Sequence, residues 1–424
     1  MNTETSEQLS WNYYIPLYLI FISLLLFTTR DFNQTQQSAI GLSNIHKIIS
    51  VPLAIVMVLY YFLQKLKFRK LPIPLFFYIL FIFTAVIGSL LTSNWLVYSL
   101  YKLLEVVAVL MTINYFWDLS YNNKKILKNI YELTIKFYKL LIIVSLLGAI
   151  IYPKIAIRPP SLYQEAYLPF QLFGSIIAIN ANSLGMIGAV VFYISFISFS
   201  KEKTGVGLLW LILSLIIVIF AQSRTSVIGL ILVISLFLFI HSNTNIIKKI
   251  LIIMMSIFVF SMSINTLVSY LERGYSVKHM EKLSGRSQWW EYAWNYFNHS
   301  DIYYQLFGGG FGEASREILA KMGHPDASTL HSDYMDSLVG SGYIGFSFFV
   351  LMNLSVIFML LKNFAIIKKD FFLLELTGVI VLLLIRSFTG PTLVTNNFFL
   401  ILYFILITNF VFYIKRKKAE INDI

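Results

Sequence analysis

One histidine is a candidate general base in this sequence, because outward-facing arginines and an acidic neighbour are expected beside its imidazole. His331 is followed by Ser332, then after nine residues by Gly342, and after two more by Gly345. The ordinary pKa of an imidazole lies close to neutral pH, so a positioned histidine can take a proton from a substrate hydroxyl. The alternative interpretation is a histidine that only makes polar contacts with its neighbours.

The surroundings of this histidine predict a site at the start of a membrane helix. A helix that begins near Leu330 would place His331 at the external mouth of the span, with Gly342 and Gly345 on one deeper face that permits close helix contact. Asp333 lies next to Ser332 in the sequence and is a candidate to orient the imidazole.

Several arginines outside the apolar runs are candidates to bind an anion. Arg224 lies in the short segment 221–226 between two apolar runs, where it either extends to lipid headgroups or binds an anion. The other external arginines are Arg158, Arg273, Arg286 and Arg316. A guanidinium presents a planar fork of donors that suits phosphate oxygens, such as those of a diphosphate joining a lipid to a sugar.

Aromatic residues and a glycine turn lie between these groups. Trp289, Trp290 and Trp294 fall in a run of large rings, which predicts either a helix anchored at the membrane interface or a platform for sugar faces. The glycine-rich segment 308–312 predicts a turn whose backbone amides could approach a ligand closely.

Metal and nucleophilic chemistry find no support in the motifs. His279, His299, His324 and His331 are irregularly spaced, and neither an H-E-x-x-H pattern nor a D-x-D pair is present. The G-x-S-x-G pattern of a serine nucleophile is also missing. The sequence therefore predicts a site of histidine and arginines without a metal or another cofactor.

Composition predicts a polytopic membrane protein. The 424 residues are 58% hydrophobic and only 13% charged, whereas soluble domains are typically about a quarter charged. There is no cysteine, so disulfides and thiolate metal sites are excluded. The net charge of +12 does not indicate nucleic-acid binding, because the basic residues gather in short loops and no groove-reading motif accompanies them.

Apolar runs predict an all-α fold with about 12 transmembrane helices and one large external loop. Two carboxamides, Asn180 and Asn182, fall inside one such run, where they either join helices or line a polar cavity. The predicted spans are 13–30, 47–64, 72–92, 95–116, 133–152, 171–199, 205–221, 225–241, 249–269, 335–361, 371–386 and 398–414.

Charge distribution predicts the orientation of these spans. Lysine and arginine are concentrated in loops 65–70, 124–128, 201–203, 248–249 and 362–369 and in the tail 415–418, which places these segments and both termini in the cytoplasm. The first apolar run has no basic segment before it and is expected to be a retained helix rather than a signal peptide. Residues 1–424 would form a single transmembrane domain, and the external loop 270–334 would carry part of the site.

The histidine and glycine pattern resembles the signature of the bacterial O-antigen polymerase and O-antigen ligase superfamily. Two further segments are similar to that family: Arg286 with the tryptophans that follow and the glycines of 308–312, and Ser223-Arg224-Thr225 at the start of a membrane helix. Their order and the large external loop also match. The specific part of the resemblance covers about 220–345.

This resemblance implies a metal-independent, inverting glycosyltransferase with a class C-like membrane fold in the bacterial inner membrane. Such enzymes transfer a glycan from undecaprenyl diphosphate to an acceptor hydroxyl. His331 would be the base, Arg224 and Arg286 would hold the diphosphate, and Arg158 is a weaker candidate for the same task. A chain-length regulator and a flippase are the protein partners that it implies.

The sequence does not decide which acceptor receives the glycan. A polymerase of lipid-linked repeat units, as in O-antigen, capsule or exopolysaccharide synthesis, is the preferred function. A ligase that uses a lipopolysaccharide core sugar and a relative that glycosylates serine or threonine are alternatives. A flippase or transporter is the alternative from another class, but its charged residues should lie near the bilayer midplane.

Overall fold

The computed structural model describes residues 11–25, 45–65, 69–158, 168, 170–241, 286–325 and 327–422. The predicted span 249–269, Arg273 and His279 lie outside these residues. The described part is helical apart from a short antiparallel pair, in which Ile157–Arg158 (β1) lies beside Gln171–Leu172 (β2). The helices are α1 (Ile15–Leu24, after a 3-10 turn at Trp11–Tyr14), α2 (Ile45–Lys65), α3 (Ile73–Thr92), α4 (Leu96–Leu119), α5 (Ile126–Ile151), α6 (Pro153–Ala156), α7 (Ala181–Glu202), α8 (Gly205–Ala221), α9 (Arg224–His241), α10 (Arg286–Asn298), α11 (Ile302–Phe307), α12 (Glu313–Lys321), α13 (Asp333–Lys362), α14 (Phe364–Ile367), α15 (Phe371–Thr389) and α16 (Phe398–Asn422).

The helices have the length and composition of a multi-pass membrane protein. Eight of the described helices are long and apolar enough to cross a membrane, and three shorter apolar helices accompany them. Every predicted span except 249–269 corresponds to one of these helices. Apolar runs of about 20 residues form helices here because a membrane offers no water to bond a free backbone.

One predicted span begins later than expected. The prediction of 171–199 is wrong at its start, because α7 begins at Ala181 after an N-cap at Asn180. The Asn180 side chain accepts a hydrogen bond of 2.8 Å from the Ser183 N–H, a typical helix cap. The preceding residues 170–180 contain β2 and run over the turn between α8 and α9, where Gln171 donates to the Ala221 carbonyl at 2.8 Å.

Polar contacts divide the bundle into two ends. At the first, which we call the lysine-rich end, Arg69 lies 3.7 Å from Asp118 and Lys417 lies 3.8 Å from Asp370. The first contact joins the segment after α2 to the end of α4, and the second joins the segment after α14 to the C-terminal part of α16. The opposite end, which we call the site end, contains the starts of α4, α7, α9 and α13 and the end of α15.

A buried glutamate fixes α12, which belongs to the predicted external loop, to the site end. Glu313, the first residue of α12, is 1% exposed. Its carboxylate accepts hydrogen bonds from the Trp95 N–H at 2.7 Å and the Ser99 hydroxyl at 2.8 Å, and also from Ser93. The residues between α3 and α4 therefore hold α12 against the bundle.

The helix after His331 is broken at a glycine, contrary to the prediction of one regular span at 335–361. Gly342 has φ 66° and ψ −174°, a conformation outside the helical region. An added Cβ there would lie 2.3 Å from the backbone of Leu306, so α11 packs directly against the backbone of Gly342. Gly345 instead packs toward α3, with its added Cβ 2.7 Å from the Thr84 hydroxyl. The two glycines therefore permit close approach of two different helices.

The glycine-rich turn serves packing as well. Gly308, Gly310 and Gly312 have positive φ angles, which glycine adopts readily. The Gly309 N–H donates to the Val339 carbonyl at 2.8 Å, and the Phe311 N–H donates to the Ser89 hydroxyl at 3.1 Å. These two amides are occupied by the protein itself, so the interpretation of the turn as a ligand-binding loop is wrong for them.

Candidate active site

His331 lies directly before α13 at the site end, in an unusual backbone conformation. Its φ is 56°, in the left-handed region, which costs an L-residue about 1–2 kcal/mol. Ser332 follows as the N-cap residue, and α13 begins at Asp333. Backbone strain of this kind is found at functional sites, where the surrounding structure must enforce it.

The residue before His331 shows how that conformation is enforced. The Leu330 N–H donates to the Asp336 carboxylate at 2.8 Å, and the Leu330 carbonyl accepts from the Trp290 indole N–H at 2.8 Å. Asp336 also accepts from the Ser315 hydroxyl at 2.6 Å. Both backbone polar groups of Leu330 are thus bonded, which fixes the chain leading into the histidine.

The imidazole is half-buried and electrically neutral at pH 7. The pKa of His331 is lowered to about 4, chiefly by burial and then by the charges of Arg286 and Arg386. Its ring stacks on Trp289 with centroids 5.8 Å apart and an angle of 22° between the planes. Among the described residues no hydrogen bond to its ring nitrogens is found, so a nitrogen is free to accept a proton.

Two predicted arginines meet near the end of α15. Arg286 begins α10, and its Nη1 donates to the Thr389 carbonyl at 2.5 Å. Arg224 begins α9, where the next residue, Thr225, bonds to the Thr389 hydroxyl at 2.7 Å. The pKa of Arg286 is lowered by burial and then by the charge of Arg224, which places the two guanidiniums in mutual range. The structure therefore brings Arg224, Arg286 and His331 together.

A third arginine, Arg386, joins this group and was not predicted as a site residue. It is 4% exposed, and its Nη1 and Nη2 donate to the Asn182 carbonyl at 2.9 Å and the Ser183 hydroxyl at 3.0 Å. Its guanidinium lies 4.3 Å from the centroid of the Phe399 ring. The available signal was an arginine inside an apolar run, because charged groups in membrane helices are costly and usually functional.

The hydrogen bonds of Asp333 do not support its predicted role of orienting His331. The Asp333 carboxylate is fully buried and accepts from the backbone N–H groups of Thr392, Leu393 and Val394 at 2.8–3.3 Å. Asp333 thus connects the start of α13 to the segment between α15 and α16. Its direct effect is on backbone geometry, and a catalytic role for it stays a prediction.

The three tryptophans have different surroundings. Trp289 contacts both His331 and the exposed His324, whose ring centroid lies 5.1 Å away. Trp290 packs in the small core between α10, α12 and α13. Trp294 is 44% exposed, so it presents a ring face that a sugar or a lipid headgroup could contact.

Arg158 and Arg316 contact other parts of the site end. The Arg158 Nε donates to the Ile155 carbonyl at 3.1 Å, and its guanidinium lies 5.3 Å from the Phe173 ring. The Arg316 guanidinium lies 5.1 Å from the Tyr98 ring on α4. Within the described ranges, no group of three or more acidic or histidine residues is arranged to hold a metal ion.

The chain was then compared with known proteins. Residues 209–350 match the family model described as O-antigen ligase, a range that contains Arg224, Arg286, His331, Gly342 and Gly345 and ends before Arg386. A comparison with curated proteins gave no match.

Proposed function

We propose that this multi-pass membrane protein, whose residues 209–350 carry a domain of the O-antigen ligase family, is a polymerase of lipid-linked oligosaccharide repeat units. Members of that family transfer polysaccharide in envelope synthesis and act on lipid-linked glycans. The observation that carries the proposal is a neutral histidine beside the guanidiniums of Arg224 and Arg286 at one end of the bundle.

The proposed reaction assigns one proton transfer to His331. An acceptor sugar hydroxyl attacks the anomeric carbon of the donor glycan from the face opposite the diphosphate, and His331 takes the hydroxyl proton. The bond between the anomeric carbon and the phosphate oxygen breaks, and its electron pair leaves with the diphosphate. The product is inverted at the anomeric carbon.

Arg224 and Arg286 are proposed to bind the diphosphate and stabilise the negative charge that develops as it leaves. Fixed charges aimed at a leaving group are commonly the largest contribution to catalysis. The half-buried position of both arginines strengthens this interaction, since little water screens it. Trp289 supports the base, and the exposed Trp294 is available to the glycan or to lipid headgroups.

In this proposal the site end faces the outside of the inner membrane and the lysine-rich end faces the cytoplasm. The lysine and arginine loops at one end support that orientation, because positive loops are retained inside. Both termini are then cytoplasmic. A flippase that delivers the substrate and a regulator of chain length are proposed protein partners.

The family description makes an O-antigen ligase the second candidate. Polymerase and ligase would use the same donor and the same three residues and differ only in the acceptor. A flippase is less well supported, because Arg224, Arg286 and His331 lie at one end of the bundle rather than near the midplane expected for a transporter site.

Analysis of surface glycans from a strain lacking the gene tests the proposal. Loss of a polymerase leaves single repeat units on the surface molecule that normally bears the polymer. Complementation with the wild-type chain restores the polymer. Bare core with long polymer still attached to the carrier lipid would identify a ligase instead. Loss of all surface glycan would identify a flippase.

Complementation with His331→Ala tests the mechanism in the same strain. The variant should insert normally and restore no polymer. His299→Ala is the matched control, since His299 is exposed, follows directly after α10, and its ring bonds to the Asn295 carbonyl at 2.7 Å. Long polymer from His331→Ala would remove the general-base assignment.

A further inference from the structure

A groove on the outside of the bundle lies between α3 and α4. α3 packs most extensively against α13 and α4 against α2, and the groove left between them has a volume of about 190 Å³. On one side it is lined by Leu71, Leu75, Ile79 and Ile82. Ile79 is 39% exposed, so an apolar opening faces the outside of the bundle, where lipid tails are the surrounding solvent.

The groove extends over one half of the membrane only. On α4 the lining runs from Val107 to Asn114, and on α3 it runs from Leu75 to Ile82. Each range rises by seven residues, or about 10 Å of helix. Val107 and Ile82 lie near the middle of their helices, and the other ends of the two ranges lie toward the lysine-rich end. The hydrocarbon core of a bilayer is about 30 Å thick, so the groove lies within one leaflet.

The polarity of the lining changes along α4 in the order of the parts of a phospholipid. Val107, Met111, Asn114 and Asp118 recur at intervals of three or four residues and therefore share one face of the helix. Val107 and Met111 are apolar, Asn114 carries an amide one turn nearer to the lysine-rich end, and Asp118 lies at the level of Arg69. Among the described residues no hydrogen bond of the Asn114 amide is found, so its N–H groups can donate to an ester carbonyl.

Two exposed lysines lie at the lysine-rich end of the groove. Lys70 directly precedes Leu71, the first lining residue. The Lys70 carbonyl accepts from the Trp117 indole N–H at 3.2 Å, and the Lys415 Nζ lies 5.5 Å from the centroid of the same ring system. Within the described ranges neither lysine forms an ion pair, so both charges are available to an anion at the level of the lipid headgroups.

We infer that the groove between α3 and α4 binds one anionic phospholipid of the leaflet at the lysine-rich end. Its acyl chain occupies the apolar lining, an ester carbonyl accepts from Asn114, and its phosphate contacts Lys70 and Lys415. The lysines select an anionic headgroup, whereas the apolar lining alone would accept any lipid tail. The inference is independent of the proposed reaction, because the residues of that reaction lie at the site end. The isoprenoid chain of a donor bound there would enter the opposite leaflet, where the groove does not extend.

Native mass spectrometry of the purified full-length protein tests the headgroup preference. Dissociation constants are measured for phosphatidylglycerol and for phosphatidylethanolamine with identical acyl chains. The wild type should bind phosphatidylglycerol about fivefold more tightly or better, and the double variant Lys70→Gln, Lys415→Gln should reduce this ratio to about twofold or less. The control is Lys201→Gln, Lys203→Gln, which removes two exposed lysines at the end of α7 and should keep the ratio.

A second pair of variants tests the groove itself. Ile79→Trp places an indole in the groove and should weaken the binding of both lipids by about tenfold, since acyl methylenes lose their contact with the lining. Leu90→Trp makes a similar change on an exposed part of α3 near the site end, outside the groove, and should leave both constants unchanged. Melting temperatures measured without added lipid show whether the variants are folded.

Equal affinity of the wild type for the two headgroups would overturn the inference, and so would a ratio that the double variant at Lys70 and Lys415 leaves unchanged. Unaltered lipid binding by Ile79→Trp would also overturn it. Displacement of phosphatidylglycerol by undecaprenyl phosphate would assign the groove to an isoprenoid instead. Dimers of the wild type that Ile79→Trp abolishes would assign it to a second copy of the chain.

Discussion

The imidazole of His331 stacks on the indole of Trp289 at a centroid distance of 5.8 Å. Trp289 belongs to α10, which begins at Arg286, so one short helix carries both the ring that stacks on the proposed base and a proposed ligand for the anion. The ring that supports His331 and the proposed anion ligand are therefore held three residues apart on one helix.

Trp289→Ala should lower the rate of polymer formation by about tenfold to a hundredfold, because an unsupported imidazole leaves its productive orientation. The rate is measured with purified protein and lipid-linked repeat units. Trp294→Ala removes a more exposed ring of the same helix and should leave His331 in place. A smaller effect at Trp289 than at Trp294 would contradict the supporting role.

The pH dependence of kcat/KM should differ from that of an enzyme whose base is a histidine with an ordinary pKa. Burial and the neighbouring arginines lower the pKa of His331 from 6.5 to about 4, and the neutral imidazole is the proposed base. As pH falls from 7, kcat/KM should stay level through 6.5 and decline only near 4, because this ratio reports the free enzyme. A decline centred at 6.5 would contradict this prediction.

Arg286→Gln should move that decline to higher pH. Removing the nearby positive charge lessens the lowering of the His331 pKa, so protonation begins earlier as pH falls. Residual activity of the variant is followed from pH 4 to pH 8. An unchanged midpoint would show that the charge of Arg286 does not lower the pKa of this histidine.

Replacing the two predicted arginines by lysine should also reduce activity. Arg224→Lys and Arg286→Lys keep the positive charge but lose the planar fork, so we expect at least a tenfold decrease in kcat/KM for each. Arg416→Lys provides a control at the opposite end of the bundle. Normal activity in both site variants would leave only a surface-anchoring role.

Asp333→Asn should act on stability rather than on the base. The Asp333 carboxylate accepts from three consecutive backbone N–H groups, so the substitution should cost about 1–3 kcal/mol and lower the melting temperature. The acid limb of kcat/KM should keep its midpoint. A shifted midpoint would instead support the predicted catalytic role of Asp333.

The break at Gly342 should not tolerate a side chain. Gly342→Ala forces a methyl group into the Leu306 backbone at a positive φ, which should strongly reduce the yield of folded protein. Gly205→Ala is the matched control, because no atom lies within 4 Å of the added Cβ. Equal yields of the two variants would contradict the close packing of α11 on α13.

Most helices could be predicted because an apolar run of membrane length has few alternative structures. The start of α7 was missed because apolar residues also fill the extended segment before Asn180, where hydropathy alone cannot distinguish a strand from a helix. The break in α13 was missed for a related reason, since a glycine in an apolar run is compatible with both a regular and a broken helix.

The site could be predicted only where residue types are chemically distinctive. His331, Arg224 and Arg286 stand in polar segments, and the structure brings them together. Arg386 was not predicted as a site residue, because its contacts with α7 depend on how distant helices pack. The partners of Asp333 lie about sixty residues further along the chain, and proximity in sequence pointed to His331 instead.

The hydrogen bonds that residues 392–394 donate to Asp333 also have a consequence for the order in which parts of the chain can pack during biosynthesis. When a ribosome has released α13, the Asp333 carboxylate still lacks its three donors, and these exist only after the chain extends beyond Val394. The Asp333 carboxylate therefore lacks these three partners until residues 392–394 follow. A nascent chain would therefore fix the start of α13 in place only after residues 392–394 have been synthesised.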